Sequence, residues 1–426
     1  MEQHVYDTYL NILKSELVPA LGCTEPITIA YASAIARECL GAFPDVIQIK
    51  ASGNIIKNVK SVVVPGTNGM KGIEAAVAAG LIGGKSEKKL EVISEVTEEE
   101  KKEIKALVEK KIIEVNIADS DLILDVQILL KKADDYVLVR IANSHTNVVL
   151  VEKNGEKLFE KLLDCGGDDG NLSEEKKLLS VAGILEFADC VKIEDVKEVI
   201  ARQIAYNTAI AEEGLTKNYG ANIGKVLLKA YGDTDVRVRA KAKAAAGSDA
   251  RMSGCELPVI INSGSGNQGI TASIPVIEFA RELQVGEEKM YRALVLSNLI
   301  AIHQKTGIGP LSAYCGAVSA GCASGAAIAY LKGGDLRTIS HTIVNCLAIT
   351  SGIVCDGAKA SCAAKIGTAV EAGILGYLMI AEDQQFRAGD GIVKKGVEET
   401  IASVGRLGKD GMKDTDREIL EIMIGK

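Results

Sequence analysis

The sequence predicts an α+β amino-terminal domain, residues 1–168, followed by an all-α carboxy-terminal domain, residues 169–426. Three observations predict it. The chain has 426 residues, more than one ordinary compact core holds, so two domains are expected. Short runs rich in β-branched residues, such as VIQIKA and DYVLVRIA, are confined to the first part, where they read as strands. After the turn-rich CGGDDGNLS at 165–173, Ala-, Gly- and Leu-rich segments of helical length run to the end, and the boundary is set there.

In chain order, residues 3–14 and 24–40 read as helices. The second opens on Thr24-Glu25-Pro26, with Pro at an early helical position and an acid near the positive end of the helix dipole. VIQIKA and SVVVP read as strands, Gly66-Thr67-Asn68-Gly69 as a turn, and Lys71–Ala79 as a helix;. Strands are then expected at LEVISEV, KIIEVNI, DLILDVQILL, DYVLVRIA and NVVLVEK, with one charged helix over Glu98–Lys110;. In the second part the small-residue composition lets helices approach closely. Lys241–Gly247, KAKAAAG, reads as a solvated helix end;. The uncharged run Leu311–Leu331 is long enough to span a bilayer, but its Gly, Ala, Ser and Cys content makes it weakly hydrophobic, and an interior helix is the reading.

Composition narrows the function. Apolar residues form 47% of the chain and charged ones 25%, which is material for a core and no signature of disorder. A net charge of -8 argues against nucleic acid and anionic membrane as partners. The amino terminus lacks a basic region followed by an apolar block, so a cytoplasmic protein is expected. Its ten cysteines should then be thiols, since cytosolic reductants oppose disulfides.

Cys315, Cys322, Cys355 and Cys362 fall close together, and each pair is seven residues apart. On a continuous helix such a pair stands about 10 Å apart along the axis, unless Asp356-Gly357 turns the chain after Cys355. A lone cysteine is most simply a small buried hydrophobe, and Cys39, Cys165, Cys190, Cys346 and Cys322 are read so. Zinc fits the spacing poorly, because structural zinc sites use pairs two to four residues apart. Three thiolates from separate segments suit an iron–sulfur cluster with one iron left open as a Lewis acid.

ALGCTEP at 20–26, PGTNGMKG at 65–72, NSHTN at 143–147, NSGSGNQG at 262–269, HQKTGIGPLSAYC at 303–315 and SGIVCDGAKASC at 351–362 together resemble the L-cysteine desulfidases, relatives of the bacterial iron–sulfur L-serine dehydratases. The resemblance covers the whole chain. It implies a 4Fe-4S cluster held by Cys315, Cys355 and Cys362, which assists α,β-elimination from a small amino acid without pyridoxal phosphate. The serine dehydratases space their last two cluster cysteines further apart, which leaves Cys23 or Cys322 open as a fourth ligand.

Elimination of sulfide requires a base at the α-carbon and an acceptor for the departing thiolate. Cys23 is the first candidate base, on the expectation that a helix amino terminus lowers its pKa. Lys305 and His303 are the alternatives, against the plain reading of HQK as a cationic helix end. Ser144, His145 and Thr146 resemble the Ser-His-Thr motif that the dehydratases place near the substrate carboxylate. PGTNG and SGSGNQG would present backbone N–H groups before helices, which brings in Asn68, Ser265 and Asn267. SGSGNQG lacks the ending of a P-loop. Lys241, Lys243 and Arg251 read as a solvated basic face, with a carboxylate contact for Arg251 the lesser reading. The partner expected is a small amino-acid substrate, with a homodimer left open. L-serine deamination is the nearest alternative activity, and a non-catalytic cluster-based sensor the alternative of another class.

Overall fold

The computed structural model describes residues 1–162, 170–309 and 311–425. The amino-terminal part runs α1 (Gln3–Glu16), β1 (Pro19–Leu21), α2 (Thr24–Leu40), β2 (Val46–Ala51), α3 (Gly53–Val59), α4 (Ile73–Gly83) and α5 (Glu98–Glu109). Five strands follow, β3 (Ile113–Ile117), β4 (Asp125–Lys132), β5 (Asp135–Ala142), β6 (Val148–Lys153) and β7 (Glu156–Glu160). With β2 they form one sheet of order β3-β2-β4-β5-β6-β7, in which only the β2–β3 pair is parallel. β4 and β5 alternate buried and less buried residues, as expected of a sheet with one face on a core. That face carries α2, which lies across β4 and β5 and packs in turn on α4.

The rest is mainly helical: α6 (Gly170–Lys176), α7 (Val181–Cys190), α8 (Ile193–Thr216), α9 (Ile223–Tyr231) and α10 (Val236–Met252), then β8 (Pro258–Ile260), then α11 (Gly266–Glu282) and α12 (Glu287–Ile308). α13 (Gly316–Leu331), α14 (Leu336–Thr350), α15 (Ser361–Ala381), α16 (Val397–Arg406) and α17 (Lys413–Ile424) complete it. α13 is the central helix, surrounded by α11, α12, α14 and α15, and nearly all of it is buried. The uncharged run Leu311–Leu331 is thus an interior helix over most of its length. α15 alone among the described helices is long and apolar enough to cross a membrane, and more than half of that stretch is buried.

Several expectations need correction. The carboxy-terminal part is not wholly helical: β8 pairs antiparallel with β1, Ala20 opposite Val259, and one buried apolar cluster continues from α1 and α2 into α12 and α13. The expected boundary at 165–173 and Cys165 lie largely or wholly outside the described residues. SVVVP is not a strand; only Val63 makes an isolated bridge, to Lys71, while Val62 is buried with Cys23 and Met252. LEVISEV starts in a 3-10 turn, Ser86–Glu91, and continues as turns, with Leu90, Val92 and Ile93 buried. KAKAAAG is the middle of α10, where Ala242, Ala244, Ala245 and Ala246 are fully buried. Short apolar runs satisfy burial in either geometry, so periodicity alone did not separate them.

Candidate active site

Four long helices begin at one place. Cys23 is the N-cap of α2, Ser265 of α11 and Cys315 of α13, and none of the three makes a side-chain capping bond. Cys362 is the second residue of α15. The first-turn N–H groups of a helix have no intrahelical partner and carry partial positive charge, so these starts create a positive end-on field. Tight turns aim them there, with Gly22 at φ 63° before Cys23 and Gly264 at φ 75° before Ser265. Between them lies a cavity of about 100 Å³.

Cys23, Cys315, Cys355 and Cys362 all line this cavity. An isolated bridge between Tyr314 and Val354 fixes two of them side by side: the Cys315 N–H donates to the Ile353 carbonyl at 3.2 Å and the Cys355 N–H to the Ala313 carbonyl at 2.6 Å. Gly357, at φ 90°, then turns the chain so that Cys362 comes back. Asp356 clamps that turn through ion pairs with Lys359, at 2.5 Å, and Lys365. Burial raises the Asp356 carboxyl, but the two ammonium groups outweigh it and hold it at about 2. The acid and lysines of CDGAKASC therefore fold the loop that carries the cysteine pair.

Burial, together with the negative potential of Cys355, pushes the Cys315 thiol up to about 12, and burial raises Cys362 as well. Such thiols ionise readily only with a compensating positive charge, which a metal centre supplies. Among the described residues no three His, Cys, Asp or Glu side chains are grouped to hold a single ion. A cluster makes a different demand, one thiolate per iron, and Cys315 together with the Cys355–Cys362 loop brings three thiols to one cavity.

Cys23 departs from expectation. Its thiol donates to Glu25 Oε2 at 2.9 Å, and burial followed by the Glu25 charge raises it well above its ordinary value. The helix terminus does not prevail against both. Burial raises the Glu25 carboxyl too, but His145, the Cys23 thiol and Arg251 more than offset this and leave it lowered. Lys305, in the last turn of α12, reaches the cavity buried and without a hydrogen bond among the described residues. Burial lowers its ammonium to about 8, against the opposing pull of Cys355 and Cys315.

The remaining expected residues divide. His145, Ser265 and Asn267 line the cavity. The His145 carbonyl accepts from Thr28 Oγ1 at 3.1 Å, its Nε2 is buried without a partner, and burial lowers its pKa. Ser144 and Thr146 do not line it, since the turn between β5 and β6 presents only the middle residue of the three. Asn68 is solvent-exposed at φ 55° and away from it. His303 is also away, hydrogen bonded through Nε2 to Glu398 Oε2 at 2.7 Å. Cys322 lies inside the helical core, its thiol toward the Ile343 carbonyl at 3.6 Å, so it is no fourth ligand. Arg251 is 2% exposed and lines the cavity, whereas Lys241 and Lys243 pair outside it with Glu371 and Glu278. Asn58, Gln268 and Ser312 also line the wall, and only the NSGSGNQG and HQKTGIGPLSAYC stretches pointed toward any of these three.

The comparisons agree over nearly the full length. The chain is 64% identical to a UPF0597 protein of Desulfitobacterium hafniense (strain Y51), covering 100% of this chain and 98% of the relative. It is 54% identical to a UPF0597 protein of Lachnoclostridium phytofermentans over 99% of this chain and 100% of the relative, and 48% identical to one of Treponema denticola over 100% and 99%. A family model described as the serine dehydratase alpha chain matches residues 87–421, which include Lys305, Cys315, Cys355 and Cys362. With that match over most of its length, the chain belongs to the serine dehydratase alpha chain family.

Proposed function

We propose that this protein is a cytoplasmic iron–sulfur lyase that converts L-cysteine to pyruvate, ammonia and hydrogen sulfide by α,β-elimination. The observation that carries the reading is the convergence of Cys315, Cys355 and Cys362 with a buried lysine in one small cavity, within a family whose model is that of a dehydratase. A 4Fe-4S cluster held by Cys315, Cys355 and Cys362 would supply an open iron, a Lewis acid toward the departing sulfur.

The chain's own residues do the rest. Lys305 accepts the α-proton: the Cys23 thiol is already donated to Glu25, while the Lys305 nitrogen is unpaired among the described residues. The C–H electron pair becomes the Cα=Cβ bond as the C–S bond breaks and sulfide leaves. The 2-aminoacrylate product tautomerises to an imine, and water hydrolyses it to pyruvate and ammonia. Val62 and Met252, buried against Cys23, keep bulk water from the back of that residue, which strengthens the electrostatic interactions around it. L-serine is the second reading, favoured by the family description, and differs only in the leaving atom.

The test is anaerobic. The protein is reconstituted with iron and sulfide, L-cysteine or L-serine is added, and pyruvate is followed beside a Cys355→Ala control. Pyruvate from the wild type, absent from the variant together with the cluster's visible absorption, is expected, and direct competition ranks the two substrates. A loaded cluster that yields no pyruvate from either amino acid, and whose spectrum neither perturbs, overturns the reading in favour of a sensor whose fourth ligand is Cys23.

A further inference from the structure

Arg251 is buried in the wall of the cavity without a contact ion pair, although its charge helps to hold the Glu25 carboxyl down. It is 2% exposed, its Nε has no partner, and no side chain among the described residues forms an ion pair or hydrogen bond with its guanidinium. Arginine cannot shed its charge in a protein, so a buried and unpaired guanidinium is costly. Its location adds to the cost. A Cβ on Gly266 would stand 2.3 Å from Nε and 2.8 Å from Cζ of Arg251, so the guanidinium lies against the first residue of α11. That helix has 17 residues, and its N-cap, Ser265, makes no side-chain capping bond. A fixed cation and the positive end of a helix are thus held together, and both favour an anion at this point.

The same cavity lining carries the opposite charge. Glu25 is 8% exposed, and its Oε2 accepts the Cys23 thiol at 2.9 Å and the Thr24 hydroxyl at 3.2 Å. It makes no ion pair with Arg251 among the described residues, although both line the same small space. A molecule that completes both carries an anion and a cation, as a free α-amino acid does.

We infer that Arg251 and the amino terminus of α11 bind the α-carboxylate of the substrate and that Glu25 binds its α-ammonium group. The ligand's identity rests on the elimination reading; the charge geometry does not. A guanidinium takes a carboxylate in a planar, two-bonded fit, so the subsite would fix the amino acid by its constant part and leave the β-substituent free to vary. Amino-acid amides, which lack a free α-carboxylate, and peptides, in which no one residue carries both a free α-carboxylate and a free α-ammonium group, would be refused.

The experiment uses ligands that cannot react. L-Alanine has no β-leaving group, L-alaninamide lacks the carboxylate, and propionate lacks the ammonium. Each is titrated calorimetrically into the anaerobically reconstituted protein. The wild type is expected to bind L-alanine at least tenfold more tightly than either analogue. Arg251→Gln should erase the preference over L-alaninamide while leaving L-alaninamide binding itself within about twofold, and Arg251→Lys should restore part of it. Glu25→Gln should instead erase the preference over propionate. A wild type that binds L-alanine and L-alaninamide equally, or does not bind L-alanine, overturns the assignment without recourse to any variant. So does an Arg251→Gln protein that loses both ligands alike, the mark of a structural role. Carboxylate preference without pyruvate formation would retain the subsite and sink the elimination; pyruvate without the preference would do the reverse.

Discussion

His303 and Lys305 leave one helix two residues apart, about 200° around its axis, so only one of them can face the cavity. The motif HQK does not say which. Packing decides: Lys305 is buried at the cysteines, while His303 turns to Glu398. Arg251 was hidden for a related reason, because the alternating charges upstream of it read as a solvated face until α8, α11 and α15 close around α10. The cysteines were legible because their type and grouping restrict the chemistry, whatever the packing. Asp249, two residues before Arg251 on α10 and so about 200° around the helix from it, offers a titration away from the cavity lining. It is 1% exposed, its Oδ2 accepts the Gly224 N–H at 3.4 Å and its Oδ1 has no partner. Burial pushes it up to about 6, partly opposed by the backbone N–H groups of Ile223 and Gly224. The unfolded chain gives up this proton near pH 4 and the folded chain near 6. Between those values the folded state holds more protons, so stability falls as pH rises and then levels off. Asp249→Asn should remove that decline. Urea midpoints at pH 4.5 and 7.5 should differ less in the variant than in the wild type, and an equal difference in both would remove Asp249 from the account.

At the scale of elements, the small residues of α13 and α15 explain why the central helix can be central. A Cβ on Gly325 would lie 2.4 Å from the Gly373 carbonyl oxygen, and one on Gly373 would lie 2.2 Å from that of Gly321. The two backbones touch, which no other residue permits. This close approach was legible in the composition, whereas SVVVP and LEVISEV were not, because β-branched residues also serve as plugs beneath helices: Val62 supports Cys23, and Ile93 is buried in a turn. Gly325→Ala sets two effects against each other. Helix propensity favours alanine by about 1 kcal/mol, while overpacking against a backbone that cannot swing aside costs roughly 1–3 kcal/mol. Net destabilisation is therefore expected, read as a lower urea midpoint. Under the proposed cluster reading, iron retention should fall with it, since Cys315 caps α13 and Cys362 is the second residue of α15. A variant as stable as the wild type would mean that the helices separate without penalty.

The whole molecule is held by contacts between distant parts of the chain, and these are what sequence patterns could not reveal. β1 finds β8 across more than two hundred residues. Near the end of the chain α17 returns to α3, where a Cβ on Gly53 would meet Leu420 at 2.6 Å and the Lys60 ammonium donates to the Met423 carbonyl. At the centre of this contact Lys57, its side chain 1% exposed, pairs with Asp416, 359 positions away, and also reaches the Cys355 carbonyl at 3.5 Å. One buried cation thus ties the first part of the chain, its last helix and the cysteine loop. Asp416→Asn leaves that cation without a counter-charge. Because Asp416 itself is only partly buried, the expected loss is roughly 2–4 kcal/mol, toward the lower end for a broken buried pair. Lys57→Met placed on top of Asp416→Asn removes the stranded charge and should recover part of the loss, since an apolar side chain of similar length replaces an ion at little or no net cost. Urea unfolding of the two variants separates the cases. If the double variant is less stable than Asp416→Asn alone, Lys57 stabilises the fold through its carbonyl contact at the cysteine loop rather than through α17, and the helix is not the clasp.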